Sequence, residues 1–184
     1  MRLFVPVDLP ARLADAVSAA QEPFADAPGL RLTDPAQAHL TLKFLGEVNR
    51  DRVPAIEDAI EAAVDDAGVE PFEAAVGGYG VFPSMTYISV VWAGFTAGGP
   101  ELTRLHEAIE AGTTAIGFDP EDHSFTPHVT LARMDDARSK DLVRRVVGER
   151  DPTIGRFEVD QVRLTESTLG PDGPTYETVT RFAL

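Results

Sequence analysis

A chain of 184 residues with 43% hydrophobic content holds enough apolar side chain for one substantial core or two small, closely packed lobes, which sets it apart from disordered sequences. It contains no cysteine, so disulfides, thiolate nucleophiles and Cys-based zinc sites are excluded. Its 30 acids and 16 bases, only two of them Lys (Lys43 and Lys140), give a net charge of −14. Such a surface suits a salt-rich cytosol and cannot neutralise a long nucleic acid, so any RNA is expected to be held by its end.

The opening Met1-Arg2-Leu3-Phe4-Val5-Pro6-Val7-Asp8 lacks the long apolar region of a secretory signal. No run approaches the roughly 20 apolar residues that cross a bilayer. The expected protein is cytoplasmic and monomeric, without a membrane partner. In chain order the pattern predicts a strand over Leu3–Val7, then a helix with the stripe Leu13, Val17, Ala20 and Phe24. A strand over His39–Leu45 and a helix with Val53, Ile56, Ile60 and Val64 come next. Strands over Phe72–Tyr79 and Thr86–Ala93 precede a third helix, carrying Leu102, Leu105, Ile109 and Ile116. A strand over Thr126–Arg133 leads to a fourth helix with Leu142, Val143, Val146 and Val147. The last strands are expected over Arg156–Thr165 and Thr175–Phe182, with Gly170-Pro171-Asp172-Gly173-Pro174 between them as a hairpin loop.

The order strand, helix, strand, helix, strand occurs twice, from Leu3 to Tyr79 and from Thr86 to Thr165. The third element of each copy carries the same motif, His39-Leu40-Thr41-Leu42 and His128-Val129-Thr130-Leu131, 89 positions apart. An internal duplication accounts for this. The expected fold is α+β: a bilobal, pseudo-two-fold duplication, with lobes at about 1–80 and 86–165 and a C-terminal strand 175–183 completing the sheets. Each lobe is expected to be a mainly antiparallel sheet with helices packed on its outer face.

Residues i and i+2 of a strand share a face. His39 and Thr41 therefore emerge together, as do His128 and Thr130, while Leu40, Leu42, Phe44, Val129 and Leu131 point the other way, under helices. Two imidazoles and two hydroxyls on one face suit attack on phosphorus. One neutral His takes a proton from water and the other, protonated, gives one to the leaving oxygen. The Thr hydroxyls can donate to the phosphoryl oxygens. Neither motif strand carries the carboxylates that usually hold divalent ions, so neither metal nor cofactor is expected. Spacing and composition do not say which His is donor and which acceptor.

At these residues the chain resembles the RNA 2',3'-cyclic phosphodiesterases, or 2'-5' RNA ligases, of the two-histidine phosphoesterase superfamily. The likeness runs from Arg2–Pro10 through His39–Gly46 and Phe125–Arg133 to Leu164–Ser167 and Gly173–Glu177. It implies a bilobal cleft lined by both motif strands, with His39 as proton donor to O3' and His128 as the base that activates water. The implied substrates are RNA ends or small cyclic nucleotides with a 2',3'-cyclic phosphate, and the implied product is a 2'-phosphomonoester. A ribose 5'-hydroxyl in place of water would form a 2'-5' linkage. The chain departs from the family at Met85-Thr86-Tyr87, where relatives often carry basic residues, and at Thr168, often Arg or another polar residue. Both departures imply a weaker hold beyond the terminal phosphate and bear most on ligation.

Lys43 shares the parity of His39 and Thr41, so it can reach a phosphate at the end of the cleft or sit as a solvated strand-end charge. Arg133 has the opposite parity to His128; a bulge or the strand end can turn it toward the substrate, and otherwise it pairs with a surface acid. His106 reads as a surface or boundary residue, His123 as a loop residue and Phe125 as core, while Tyr87 is available to stack on a base. Two rival readings stand beside the enzyme: a nucleotide- or RNA-end-binding module using the same cleft without turnover, and a His-ligated metallohydrolase.

Overall fold

The computed structural model spans Met1–Leu184, and its elements track the apolar pattern. In chain order they are β1 (Arg2–Asp8), α1 (Ala14–Gln21), β2 (Leu30–Leu32), β3 (His39–Glu47), α2 (Val53–Ala67), β4 (Phe72–Pro83), β5 (Ile88–Ala97), α3 (Gly99–Ala115), β6 (His128–Met134), α4 (Lys140–Glu149), β7 (Thr153–Val159), β8 (Gln161–Gly170) and β9 (Gly173–Ala183). Each helix buries the stripe that marks it: Val17 and Ala20 in α1, Ile56, Ile60 and Val64 in α2, Leu102, Leu105 and Ile109 in α3, Val143 and Val146 in α4. None of the helices is long and apolar enough to cross a membrane.

Two strand expectations change. The run Arg156–Thr165 is two strands, with Asp160 between them. Phe157 and Val159 are buried before Asp160, Val162 and Leu164 after it, and this switch from odd to even positions is the sequence signal of the break. The three-residue β2 also went unpredicted, because Leu30-Arg31-Leu32 is too short to show a period.

The strands form one antiparallel sheet in the order β7-β4-β5-β6-β3-β1-β8-β9, with β2 paired to the far end of β6. Its two halves, β7-β4-β5-β6 and β3-β1-β8-β9, meet through a single residue pair, Leu40 with Val129. The two sequence repeats do not each fold into one half. The third strand of the first repeat, β4, pairs with β5 and β7, and β8 returns to β1. The contiguous lobes expected at 1–80 and 86–165 are therefore interleaved. A short turn makes β4–β5 a local hairpin, which costs far less chain entropy than a return to β1. The C-terminal strand β9 extends only the β8 edge, after the expected hairpin.

Leu40, Leu42, Val129 and Leu131 lie in the main core with residues of α1, α2 and α3. A second cluster joins Phe24, Ile88, Val91 and Ala132 to Val143 and Val146 of α4. Leu40 and Leu131 are fully buried, and truncating either to Ala would cost about 2–5 kcal/mol. This packing turns the opposite face of β3 and β6 toward the cleft.

Candidate active site

Both motif strands bulge at the same place. Pairing with β1 runs Thr41–Pro6 and then Lys43–Val5, so Leu42 is the extra residue. Pairing of β6 with β5 runs Thr130–Trp92 and then Ala132–Val91, so Leu131 is the extra residue. A bulge diverts a carbonyl from the ladder, and a buried carbonyl needs a partner. His106 of α3 supplies one to Leu42, its Nδ1 lying 2.7 Å from that oxygen. The Leu131 carbonyl accepts from the Thr33 amide at 3.0 Å and also from Gln21 of α1, whose Nε2 donates to it at 3.0 Å. His106 is thus a buried structural residue rather than a surface one, stacked on Phe125 at 4.1 Å.

Each bulge also reverses the parity of the residues beyond it. Lys43 turns away from the cleft: it is 2% exposed and paired with Glu110 of α3 at 2.7 Å, with the Asp119 carbonyl accepting from Nζ at 2.7 Å. The expectation that Lys43 reaches a substrate phosphate is corrected by this geometry. Burial pushes the Glu110 carboxyl up, but hydrogen bonds from Lys43 and the Glu121 amide, with the Lys43 charge, outweigh it and hold it below the usual range. Phe44, expected beneath a helix, is 58% exposed, with its ring 6.1 Å from that of Phe4. On β6 the same reversal exposes Arg133 and turns it toward both histidines, whose protonation its charge disfavours. Its neighbour across β2, Arg31, is engaged by Asp135 through two hydrogen bonds.

The two imidazoles are held in the same way. His39 Nδ1 lies 2.8 Å from the carbonyl of Gln37, and His128 Nδ1 lies 2.7 Å from that of Thr126. A carbonyl only accepts, so Nδ1 carries the hydrogen and Nε2 is the nitrogen left to exchange a proton. Aromatic rings pack beside both: Phe4 and Tyr176 lie 5.2 Å from His39, and Phe82 and Trp92 lie 4.8 and 6.0 Å from His128. Gly80 lets the Trp92 ring lie against β4, since any Cβ there would collide with it. Burial lowers the pKa of His39; the Gln37 carbonyl and the charge of Asp8 oppose this, and Arg133 adds to it. Burial also lowers that of His128, opposed by the Thr126 carbonyl and reinforced by Arg133, His39 and His123.

Thr41 and Thr130 are half-buried on the same faces as their histidines. The antiparallel pair Leu40–Val129 sets Thr41 on the His128 side and Thr130 on the His39 side. His123 is exposed on the preceding loop between Glu121 and Asp122, and Tyr87 is 71% exposed in the β4–β5 turn. No group of three or more His, Cys, Asp or Glu side chains is arranged to hold a metal ion. Sequence reading missed Asp8, Tyr176, Phe82 and Trp92 as neighbours of the histidines. Their places depend on strand register, which no local pattern displays.

A curled antiparallel sheet with two such histidine strands defines a class, and the comparisons agree. The family model of the 2'-5' RNA ligase superfamily matches residues 3–171, and the chain belongs to that superfamily. Over its full length it is similar to the RNA 2',3'-cyclic phosphodiesterase of Methanothermobacter thermautotrophicus, with 34% identity covering 100% of this chain and 99% of the relative. The protein of the same name from Methanocaldococcus jannaschii is 31% identical, covering 97% and 98%. Among solved structures, one from Thermus thermophilus superposes with a TM-score of 0.80 at 31% identity, covering 100% and 98%. E. coli LigT complexed with 3'-AMP shares the fold, with a TM-score of 0.80 at 23% identity and 100% and 97% coverage.

Proposed function

We propose that this protein opens 2',3'-cyclic phosphates on RNA ends or nucleotides by metal-independent acid–base catalysis, leaving a 2'-phosphomonoester. The observation that carries the reading is the matched pair of imidazoles, each pinned at Nδ1 by a backbone carbonyl, with Arg133 acting on both. The relatives' shared name, RNA 2',3'-cyclic phosphodiesterase, supports the substrate class. In the proposed step His128 Nε2 takes a proton from water as the oxygen attacks phosphorus. The P–O3' bond breaks, and His39 Nε2–H delivers its proton to O3'. Thr41, Thr130 and Arg133 donate to the phosphoryl oxygens, where charge accumulates. A ribose 5'-hydroxyl in the place of water would give a 2'-5' linkage by the same transfers.

The test is hydrolysis of 2',3'-cyclic AMP after exhaustive EDTA treatment, with products separated by chromatography. The expected result is undiminished turnover to 2'-AMP. Activity restored only by Mn²⁺, Zn²⁺ or Mg²⁺ would overturn metal independence, and 3'-AMP as the main product would reverse the assigned roles. Tight binding of 2'-AMP with no turnover would identify a binding module instead.

A further inference from the structure

An acid–base pair cannot be symmetric, because one imidazole must hold a proton at the pH where the other has lost it. The motif strands treat His39 and His128 alike. The strands beside them do not. Opposite His39 on β1 stands Asp8, whereas opposite His128 on β5 stands Gly94. These two strands open the two repeats, so one structural position carries a carboxylate in the first half and no side chain in the second. Cross-strand partners share a face of the sheet, which places the carboxylate beside the imidazole of His39. Arg163 of β8 fixes it there through a 2.6 Å ion pair.

We infer that Asp8 is the positioning residue that breaks the symmetry of the site, keeping His39 as the protonated partner and leaving His128 to serve as the base. The inference rests on the two-histidine mechanism and extends it to the division of labour. The groups facing His39 are Asp8 from β1, Arg133 from β6 and the phenol of Tyr176 from β9. Those acting on His128 are Arg133, His39 and His123, all cationic when charged. Arg133 weighs on both imidazoles, so it does not discriminate between them. Asp8 favours a proton on His39 alone, and that proton then disfavours a second one on His128. Acting through His39, the carboxylate need not approach the anionic substrate, where it would repel the phosphate.

The experiment is an NMR titration of the two imidazoles, with resonances assigned from His39→Ala and His128→Ala, in the full chain and in Asp8→Asn and Asp8→Glu. In the unaltered protein the His39 midpoint is expected above that of His128. Asp8→Asn should lower the His39 midpoint and move His128 much less; Asp8→Glu should restore most of the difference. In kcat/KM for 2',3'-cyclic AMP, the basic limb of the Asp8→Asn profile should move to lower pH. Activity at pH 7 should fall by about fivefold, the size that a partly exposed charge pair supports. A His128 midpoint above that of His39, an unmoved His39 midpoint in Asp8→Asn, or equal shifts of both would overturn the inference. The titration needs no turnover, so a protein inactive on cyclic phosphates would sink the catalytic reading and leave the role of Asp8 decided by the midpoints. Where Asp8→Asn fails to fold, Asp8→Glu and the unaltered chain still test it: a His128 midpoint at or above that of His39 overturns it.

Discussion

Through their first four residues β3 and β6 share one plan: His39-Leu40-Thr41-Leu42 in one and His128-Val129-Thr130-Leu131 in the other. Both bulge at the fourth residue, and both give its carbonyl to a buried side chain from a helix, His106 for Leu42 and Gln21 for Leu131. The next two positions diverge. Beneath the sheet, Lys43 forms a buried ion pair where β6 has the small Ala132; on the cleft face, Phe44 stands where β6 has Arg133. One half of the cleft thus ends in an aromatic ring and the other in a cation. A duplicated scaffold can keep its reacting groups paired while the residues beyond the bulge specialise, because the bulge decides which side of the sheet each one serves.

The shared part of that comparison carries the largest expected effect. His39→Ala and His128→Ala should each lower kcat by about 10²–10⁴-fold, the usual worth of a general acid or base, with circular dichroism and thermal unfolding little changed. A loss confined to one of them, with the other active at the normal rate, would show that the two strands are not functional equivalents.

Lys43→Ala should act on stability. Removing one partner of a buried pair leaves Glu110 uncompensated, which costs about 3 kcal/mol in urea unfolding at pH 7. Glu110 has a depressed folded pKa. Its contribution is therefore present above the pKa of unfolded Glu and is lost as pH falls through the folded value, so the gap between variant and parent should close in acid. An unchanged midpoint at pH 7, with a raised KM instead, would return Lys43 to the cleft.

Arg133→Ala should do the reverse, leaving stability nearly untouched while kcat/KM falls by about 10–100-fold, the worth of a charge-assisted hydrogen bond to phosphate. The pH profile sharpens the point. Burial lowers both imidazole pKa values and the Arg133 charge lowers them further, so the bell of kcat/KM should centre on the acid side of an ordinary histidine. Removing the guanidinium should move both limbs to higher pH. The two apparent values belong to the coupled pair, and it is their common displacement that tests the arrangement. A profile that stays in place would mean that Arg133 faces solvent.

The four helices, the duplicated order of elements and the face shared by each His and Thr were legible in the sequence, because local periodicity and repetition carry them. Val17, Ile60, Leu105 and Val146 are buried where the helical spacing puts them. The pairing of His39-x-Thr41 with His128-x-Thr130 likewise needed only recurrence and strand alternation. Alternation misplaced Lys43 and Phe44 because it fails at a bulge, and bulges are set by how a strand pairs with its neighbour. The interleaving of the halves, the burial of His106 and the contrast between Asp8 and Gly94 are all matters of register between segments far apart in the chain. By itself the sequence determined which groups are available for chemistry. Only the tertiary structure decided which of them face one another, since that depends on long-range strand pairing rather than on any local pattern.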